Sequence, residues 1–214
     1  MSMKTSLFVK QIQVGPMANF VYLVGDIKNH ETFVVDPGWE VEKIIQAAKK
    51  DGFKIIGALM THTHFDHADG LKELLRKTDG TAYIHEKEAD FLTDEKLKLK
   101  KTKDGDKIQI GEVEIQVIHT PGHTPGSQCF LVDGNLFSGD TLFIQACGRC
   151  DLPASNPEDM FYSLKRLSGL DDSTVVYPGH DYADETQSTI GKEKRNNPYM
   201  QIQNLDDFLP FRMG

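Results

Sequence analysis

Thr61-His62-Thr63-His64-Phe65-Asp66-His67 follows directly on residues 54–60, a short apolar run of strand length. Three imidazoles and a carboxylate thus fall within positions 62–67, at the end of a strand. In an extended loop His62 and His64 point to one side, while Asp66 and His67, at the turn into the next helix, reach a second point close by. Imidazole nitrogen and carboxylate oxygen are the donors that divalent zinc, iron and manganese accept, so the spacing reads as a metal cage.

On the amino-terminal side, residues 6–14, 20–25 and 32–35 are rich in Val, Phe, Tyr and Thr and are separated by Gly15-Pro16 and Asn29-His30, which predicts adjacent strands. Val41, Ile44, Ile45 and Ala48 have the spacing of one buried helix face, stopped at Asp51-Gly52. Beyond the histidine cluster the pattern predicts an amphipathic helix over 67–77, a strand at 81–85 and a solvated Lys/Asp-rich connection over 93–106. Strands are expected again at 107–110, 113–118, 127–132 and 135–138, then a helix at 158–167 and a strand at 174–177. This order fits an α/β architecture of two sheets packed face to face with helices on the outer faces. No repeat or Pro/Ser-rich linker divides the chain, so residues 1–214 are expected to form a single domain with a short helical tail from about Ala183.

With 24 Lys+Arg against 32 Asp+Glu, the net charge of -8 repels phosphate backbones and argues against a nucleic-acid partner. Apolar residues at 39% suffice for a sizeable core. No apolar run approaches membrane-helix length, and the amino end lacks the apolar stretch of a secretory signal, so the expectation is a cytoplasmic protein with no membrane partner. Cys129, Cys147 and Cys150 fit a reducing compartment better than a disulfide framework. Cys147 and Cys150 make a lone C-x-x-C with no second pair to complete a zinc site, so they are expected to be unconnected thiols. His85 and His119, beside strands, read as structural histidines, His30 as a turn residue, and Trp39 as packing at a helix start.

Three further loops each follow a predicted strand and each offer one ligand: Thr120-Pro121-Gly122-His123, Ser138-Gly139-Asp140 and Tyr177-Pro178-Gly179-His180. Glycine lets the chain turn sharply there, so the side chain projects from the sheet's rim. With these loops the sequence resembles the metallo-β-lactamase superfamily, whose pattern H-x-H-x-D-H followed by single His, Asp and His ligands is matched at every position. The resemblance implies a four-layer αββα sandwich with its site at one edge between the sheets. It implies two divalent metal ions, one held by His62, His64 and His123 and one by Asp66, His67 and His180, with Asp140 bridging them. Zinc is the expected metal, with iron and manganese as the others that such donors allow. No cysteine stands at a ligand position, which separates the chain from β-lactamases that use a thiolate ligand.

Within that superfamily, Thr120-Pro121-Gly122-His123-Thr124-Pro125-Gly126-Ser127, Gly139-Asp140-Thr141-Leu142-Phe143, Cys147-Gly148-Arg149 and Gly179-His180-Asp181-Tyr182 resemble the glyoxalase II-like proteins, which hydrolyse acyl-glutathione thioesters. The tail Lys194-Arg195-Asn196-Asn197-Pro198-Tyr199-Met200 resembles the ending of short, single-domain bacterial members. This likeness implies a small thiol-derived substrate, Asp66 as the catalytic residue that orients the attacking water, and Arg149 and Tyr182 as contacts to the thiol portion. Asp151 stands where that family has an aromatic residue. The persulfide dioxygenases look similar over the same stretch and share an Arg followed two residues later by Asp, as in Arg149 and Asp151. There a single iron sits at positions matching His62, His123 and Asp140. A metal-binding module without catalysis is the third class, and the complete ligand set weighs against it.

Overall fold

Every residue of the strand Asn19–Asp26 is buried, because its two faces pack against different layers of the protein. Val21 and Leu23 join one apolar cluster, whereas Phe20, Tyr22 and Val24 join another, which is the period-two alternation of a strand with apolar matter on both sides. This computed structural model describes residues 6–92 and 96–213.

The chain runs β1 (Leu7–Val14), β2 (Asn19–Asp26), β3 (Glu31–Val35), α1 (Val41–Lys50), β4 (Lys54–Leu59), α2 (Phe65–Ala68), α3 (Leu71–Thr78), β5 (Thr81–His85), β6 (Leu99–Thr102), β7 (Lys107–Ile110), β8 (Val113–His119), β9 (Gln128–Val132) and β10 (Asn135–Gly139). It continues through β11 (Leu142–Phe143), β12 (Ala146–Cys147), α4 (Pro157–Ser168), β13 (Val175–Pro178), β14 (Ser188–Thr189), α5 (Ile190–Asn196), α6 (Pro198–Gln201) and α7 (Leu205–Met213). One six-stranded sheet has the order β1-β2-β3-β4-β5-β6 and a second the order β14-β13-β10-β9-β8-β7.

Three apolar clusters fix four layers. Ile44, Ile45, Leu71 and Leu74 of α1 and α3 pack with Val34, Ala58 and Ile84 on the outer face of the first sheet. Phe33, Val35 and Leu59 meet Val117, Phe130 and Phe137 between the sheets. Met160, Leu164 and Leu167 of α4, with Phe208 of α7, cover Ile118, Leu136 and Val176 on the outer face of the second sheet. The result is an αββα sandwich, as the sequence leads one to expect.

Three local readings need correction. Residues 99–102 of the expected solvated connection are β6, a parallel edge strand beside β5, and residues 93–95 of that connection lie outside the described residues. Lys100 and Lys101 keep that edge charged, which both protects it from pairing and disguises it as loop. The single helix expected over 67–77 is two, α2 and α3, broken at Asp69-Gly70; a Cβ on Gly70 would lie 2.2 Å from the Pro37 carbonyl oxygen. The tail expected to be helical from Ala183 passes first through β14 and turns helical at Ile190.

At the end of β5 the His85 ring stacks on His119 of the second sheet, with centroids 4.1 Å apart and planes at 8°. Burial and the neighbouring His119 push the His85 imidazole down to about 4. The unfolded chain therefore binds this proton more readily than the folded one between the ordinary histidine range and pH 4, and His85 withdraws stability as pH falls through that window. Urea unfolding at pH 7, 5.5 and 4.5 is expected to show wild type losing stability faster than His85→Gln; parallel losses would remove the assignment.

Candidate metal centre

The loops after β4, β8, β10 and β13 converge at one edge of the sandwich, all at carboxyl ends of strands, where open sheets commonly bind ligands. The sheets are tied there by Phe20 N–H donating to the Gly179 carbonyl at 2.8 Å and Asp181 N–H donating to the Ala18 carbonyl at 2.8 Å. The nitrogens of His62, His64 and His123 form one group of donor atoms, and Asp66, His67 and His180 form a second, each within 4.8 Å of one another.

The surrounding hydrogen bonds aim these rings. His180 Nδ1 donates to the Met17 carbonyl and His123 Nδ1 to the Arg149 carbonyl, each at 2.9 Å, so the Nε2 lone pair of both rings faces inward. His67 Nδ1 lies 3.1 Å from Asp36 Oδ2. The Thr61 hydroxyl donates to the same oxygen at 2.6 Å and so accepts from His62 Nδ1 at 3.0 Å. His64 is turned the other way and sets its Nδ1 2.9 Å from His123 Nε2.

Asp140 lies among both groups. Its Oδ1 is 3.3 Å from His67 Nε2, and its Oδ2 is 3.4 Å from His180 Nε2 and 3.5 Å from His123 Nε2. Two imidazole nitrogens, His67 Nε2 and His180 Nε2, stand only 3.2 Å apart, with Asp66 Oδ2 3.4 Å from the first and 3.3 Å from the second. His62 Nε2 and Asp140 Oδ1 are buried without a hydrogen-bond partner. Buried polar atoms are almost always satisfied, so orphaned donor atoms aimed at one point, in an imidazole and carboxylate set, fit divalent cations.

The electrostatics agree. Burial opposes a charge on Asp140, yet the His67 charge and the close His180 imidazole hold its carboxyl well below the usual range. Asp66 is likewise kept ionised against its burial by His180, His67 and Asn19. Burial also disfavours a charge on His67 and His180, but Asp140, with Asp36 and Asp66 beside His67 and Asp66 beside His180, carries His67 well up and His180 up to about 9. Burial and the His67 charge push His62 well down. Without a cation His67 and His180 favour holding protons, which a divalent ion would displace.

Two residues that set this geometry escaped the sequence reading. Asp36, at φ 51° and 3% exposed, accepts from the Thr61 amide at 2.7 Å as well as from its hydroxyl, and with His62 and His67 it makes a third close set of donor atoms. Its trace in the sequence is the Asp36-Pro37-Gly38 turn at a strand end. Asn19 donates to Asp66 Oδ2 at 2.9 Å and accepts from Trp39 Nε1 at 3.1 Å, so Trp39 braces a candidate ligand in addition to packing, edge-on, against Phe65. His85 and His119 belong to neither donor group. Cys129, Cys147 and Cys150 are free and buried, and burial pushes their thiols up to about 11, 12 and 11, which leaves them unreactive.

Above the donors opens a cavity of about 660 Å³, walled by Phe65, Phe91, Phe143, Leu152 and Tyr182 with Arg149 at its rim. The Tyr182 ring stacks on His180 at 4.6 Å and meets the edge of Phe143 at 5.6 Å. Arg149 is exposed and forked onto Asp151, Nε to Oδ1 at 2.9 Å and Nη2 to Oδ2 at 2.7 Å.

Relatives in sequence span most of the chain. A probable polyketide biosynthesis zinc-dependent hydrolase, BaeB, of Bacillus velezensis is 33% identical over 196 residues, 91% of this chain and 87% of that protein. A mitochondrial persulfide dioxygenase, ETHE1, of Bos taurus is 29% identical over 92% of this chain and 77% of its own. A hydroxyacylglutathione hydrolase of Hydrogenovibrio crunogenus is 37% identical over 150 residues, 70% of this chain and 53% of that protein. Among solved structures, ETHE1 from Myxococcus xanthus superposes with a TM-score of 0.88 at 29% identity, covering 96% of this chain and 89% of that one. The family model of the metallo-beta-lactamase superfamily matches residues 14–180, a span that begins at the end of β1 and ends on the last candidate ligand, His180; strands β2 to β13 and the convergent His/Asp groups lie within it, and the chain belongs to that superfamily.

Proposed function

We propose that the protein is a metal-dependent hydrolase that cleaves a small thioester of glutathione or a related low-molecular-weight thiol, acting in the cytoplasm on a small molecule rather than on a nucleic acid or a membrane. The observation that carries this reading is the placement of Asp140 between two donor groups beneath one cavity. His62, His64 and His123 would hold one cation and Asp66, His67 and His180 the other, zinc by preference, with Asp140 facing both. Two such cations supply an acidified water and a polarised carbonyl when bound.

The chain's own residues do the rest. Asp66, held ionised with one oxygen fixed by Asn19, would accept a hydrogen bond from the attacking water and orient it. A thiolate leaves readily, so no general acid is required. Tyr182, propped by His180 and Phe143, offers the thiol portion an apolar face and a hydroxyl. Arg149 offers a fork to a carboxylate and would exchange Asp151 for the substrate. Arg149→Ala and Tyr182→Phe are each expected to raise KM by about tenfold with a much smaller fall in kcat, since neither touches the reacting carbonyl. A loss confined to kcat would remove both from substrate binding.

The Arg149–Asp151 pair supports a second reading, a mononuclear iron persulfide dioxygenase, as does the likeness to ETHE1. One experiment separates the two: purified protein receives S-lactoylglutathione in one assay and glutathione persulfide over an oxygen electrode in the other, with metal content measured alongside. Thiol release without oxygen uptake, and well over one equivalent of metal, is expected. Oxygen uptake with near one equivalent of iron and no thioester cleavage would overturn the hydrolase.

A further inference from the structure

Glu88 is 1% exposed and reaches the cavity wall, yet it stands in neither donor group. Its Oε2 accepts the Thr63 amide at 3.1 Å and also the Thr63 hydroxyl, and its Oε1 accepts the Gly126 amide at 3.0 Å. Thr63 is the residue between His62 and His64. Gly126 belongs to the loop that presents His123, a loop closed on itself by the Thr124 amide and hydroxyl, which reach Ser127 Oγ at 3.1 and 2.8 Å. One buried carboxylate therefore spans the two loops that together carry all three histidines of one donor group. A Cβ on Gly126 would lie 2.5 Å from Glu88 Cγ, so a larger residue there would force the clamp open. The other donor group is steadied by different residues, namely Asn19 on Asp66, Asp36 on His67 and the Met17 carbonyl on His180.

We propose that Glu88 is a positioning residue that fixes His64 against His123 and so sets the cation affinity of the His62/His64/His123 site without setting that of its neighbour. The inference rests on the two-metal reading of the centre and adds to it a support that serves one group alone, whereas Asp36 reaches both, His67 directly and His62 through Thr61. Glu88→Gln keeps the shape but must point an amide N–H at one of two N–H donors, so one strand of the clamp is lost. Thr63→Val removes the hydroxyl contact while leaving the Glu88 charge in place, which separates positioning from long-range attraction of a cation.

The full-length chain, stripped of metal, is titrated with cobalt(II) alone and followed by its visible spectrum. Wild type is expected to take up two equivalents. Both variants should bind one equivalent about 10- to 100-fold more weakly, with the other held within about threefold, that range being typical when a ligand's supporting partner is lost. The weakened equivalent must be the one that His64→Ala abolishes. Equal weakening of both equivalents, no weakening of either, or weakening of the one that His180→Ala abolishes would each overturn the proposal. If Glu88→Gln does not fold, Thr63→Val decides alone. Wild type that binds fewer than two equivalents overturns the two-metal reading, and this inference with it.

Discussion

Asp140→Asn is expected to fold and to lose the metal centre. The substitution keeps the side chain's size but removes the one anion that touches His67, His123 and His180 together, at 3.3 to 3.5 Å. An amide can still offer one oxygen to one cation, so the expected product retains at most a single equivalent, bound at least about 100-fold more weakly. Metal that binds only the folded state stabilises it by mass action, about 4 kcal/mol at a thousandfold excess over Kd. For a chain of this size that corresponds to a fall in Tm of about 10 °C. Metal analysis and melting curves, read together, check it. Stripping wild type with a chelator should bring its Tm most of the way to that of the variant. Retention of both metals by Asp140→Asn would end the bridging assignment.

Gly38→Ala is expected to damage the centre from outside it. A Cβ at Gly38 would sit 1.7 Å from the Asp66 carbonyl oxygen and 3.0 Å from the His67 nitrogen, which are backbone atoms of α2 and cannot rotate away. Either the turn after Asp36 or the helical turn bearing the candidate ligands Asp66 and His67 has to shift, and Asp36 is itself bonded to His67. Overpacking of this kind costs about 3 kcal/mol. A displacement near 1 Å of groups that orient a reaction costs about a hundredfold in rate. Gly169→Ala is the control, since the nearest atom to its Cβ is the Arg166 carbonyl oxygen at 3.2 Å and its φ is −81°. Gly38→Ala that melts with wild type and holds two metals would show that α2 has room to give.

Much of this candidate centre was legible in the chain because its candidate ligands announce themselves chemically. His62, His64, Asp66 and His67 are adjacent, and His123, Asp140 and His180 each follow an apolar strand and a glycine, so type and position pointed the same way. The supporting shell was not legible. Asp36, Asn19 and Glu88 act through hydrogen bonds to residues 25 to 47 positions away, which no local pattern encodes. The αββα order was readable where strands alternate or run apolar, and unreadable at β6, where the residues that guard a sheet edge are those that mark a solvated loop. The break between α2 and α3 was hidden for a similar reason: Asp66 and His67 continue a helical period that ends only because Gly70 must pass close to Pro37.

The donor groups also divide between the halves of the sandwich. His62, His64, Asp66 and His67 come from the sheet built first along the chain, and His123, Asp140 and His180 from the other. Each of the groups His62/His64/His123 and Asp66/His67/His180 draws on both, so filling either one takes both halves. A cation bound by either group would act as a rivet, holding ligands from both layers at once. The seam between the sheets, sewn at Asn19 and His180, is then the part of the molecule that such a cation would fasten.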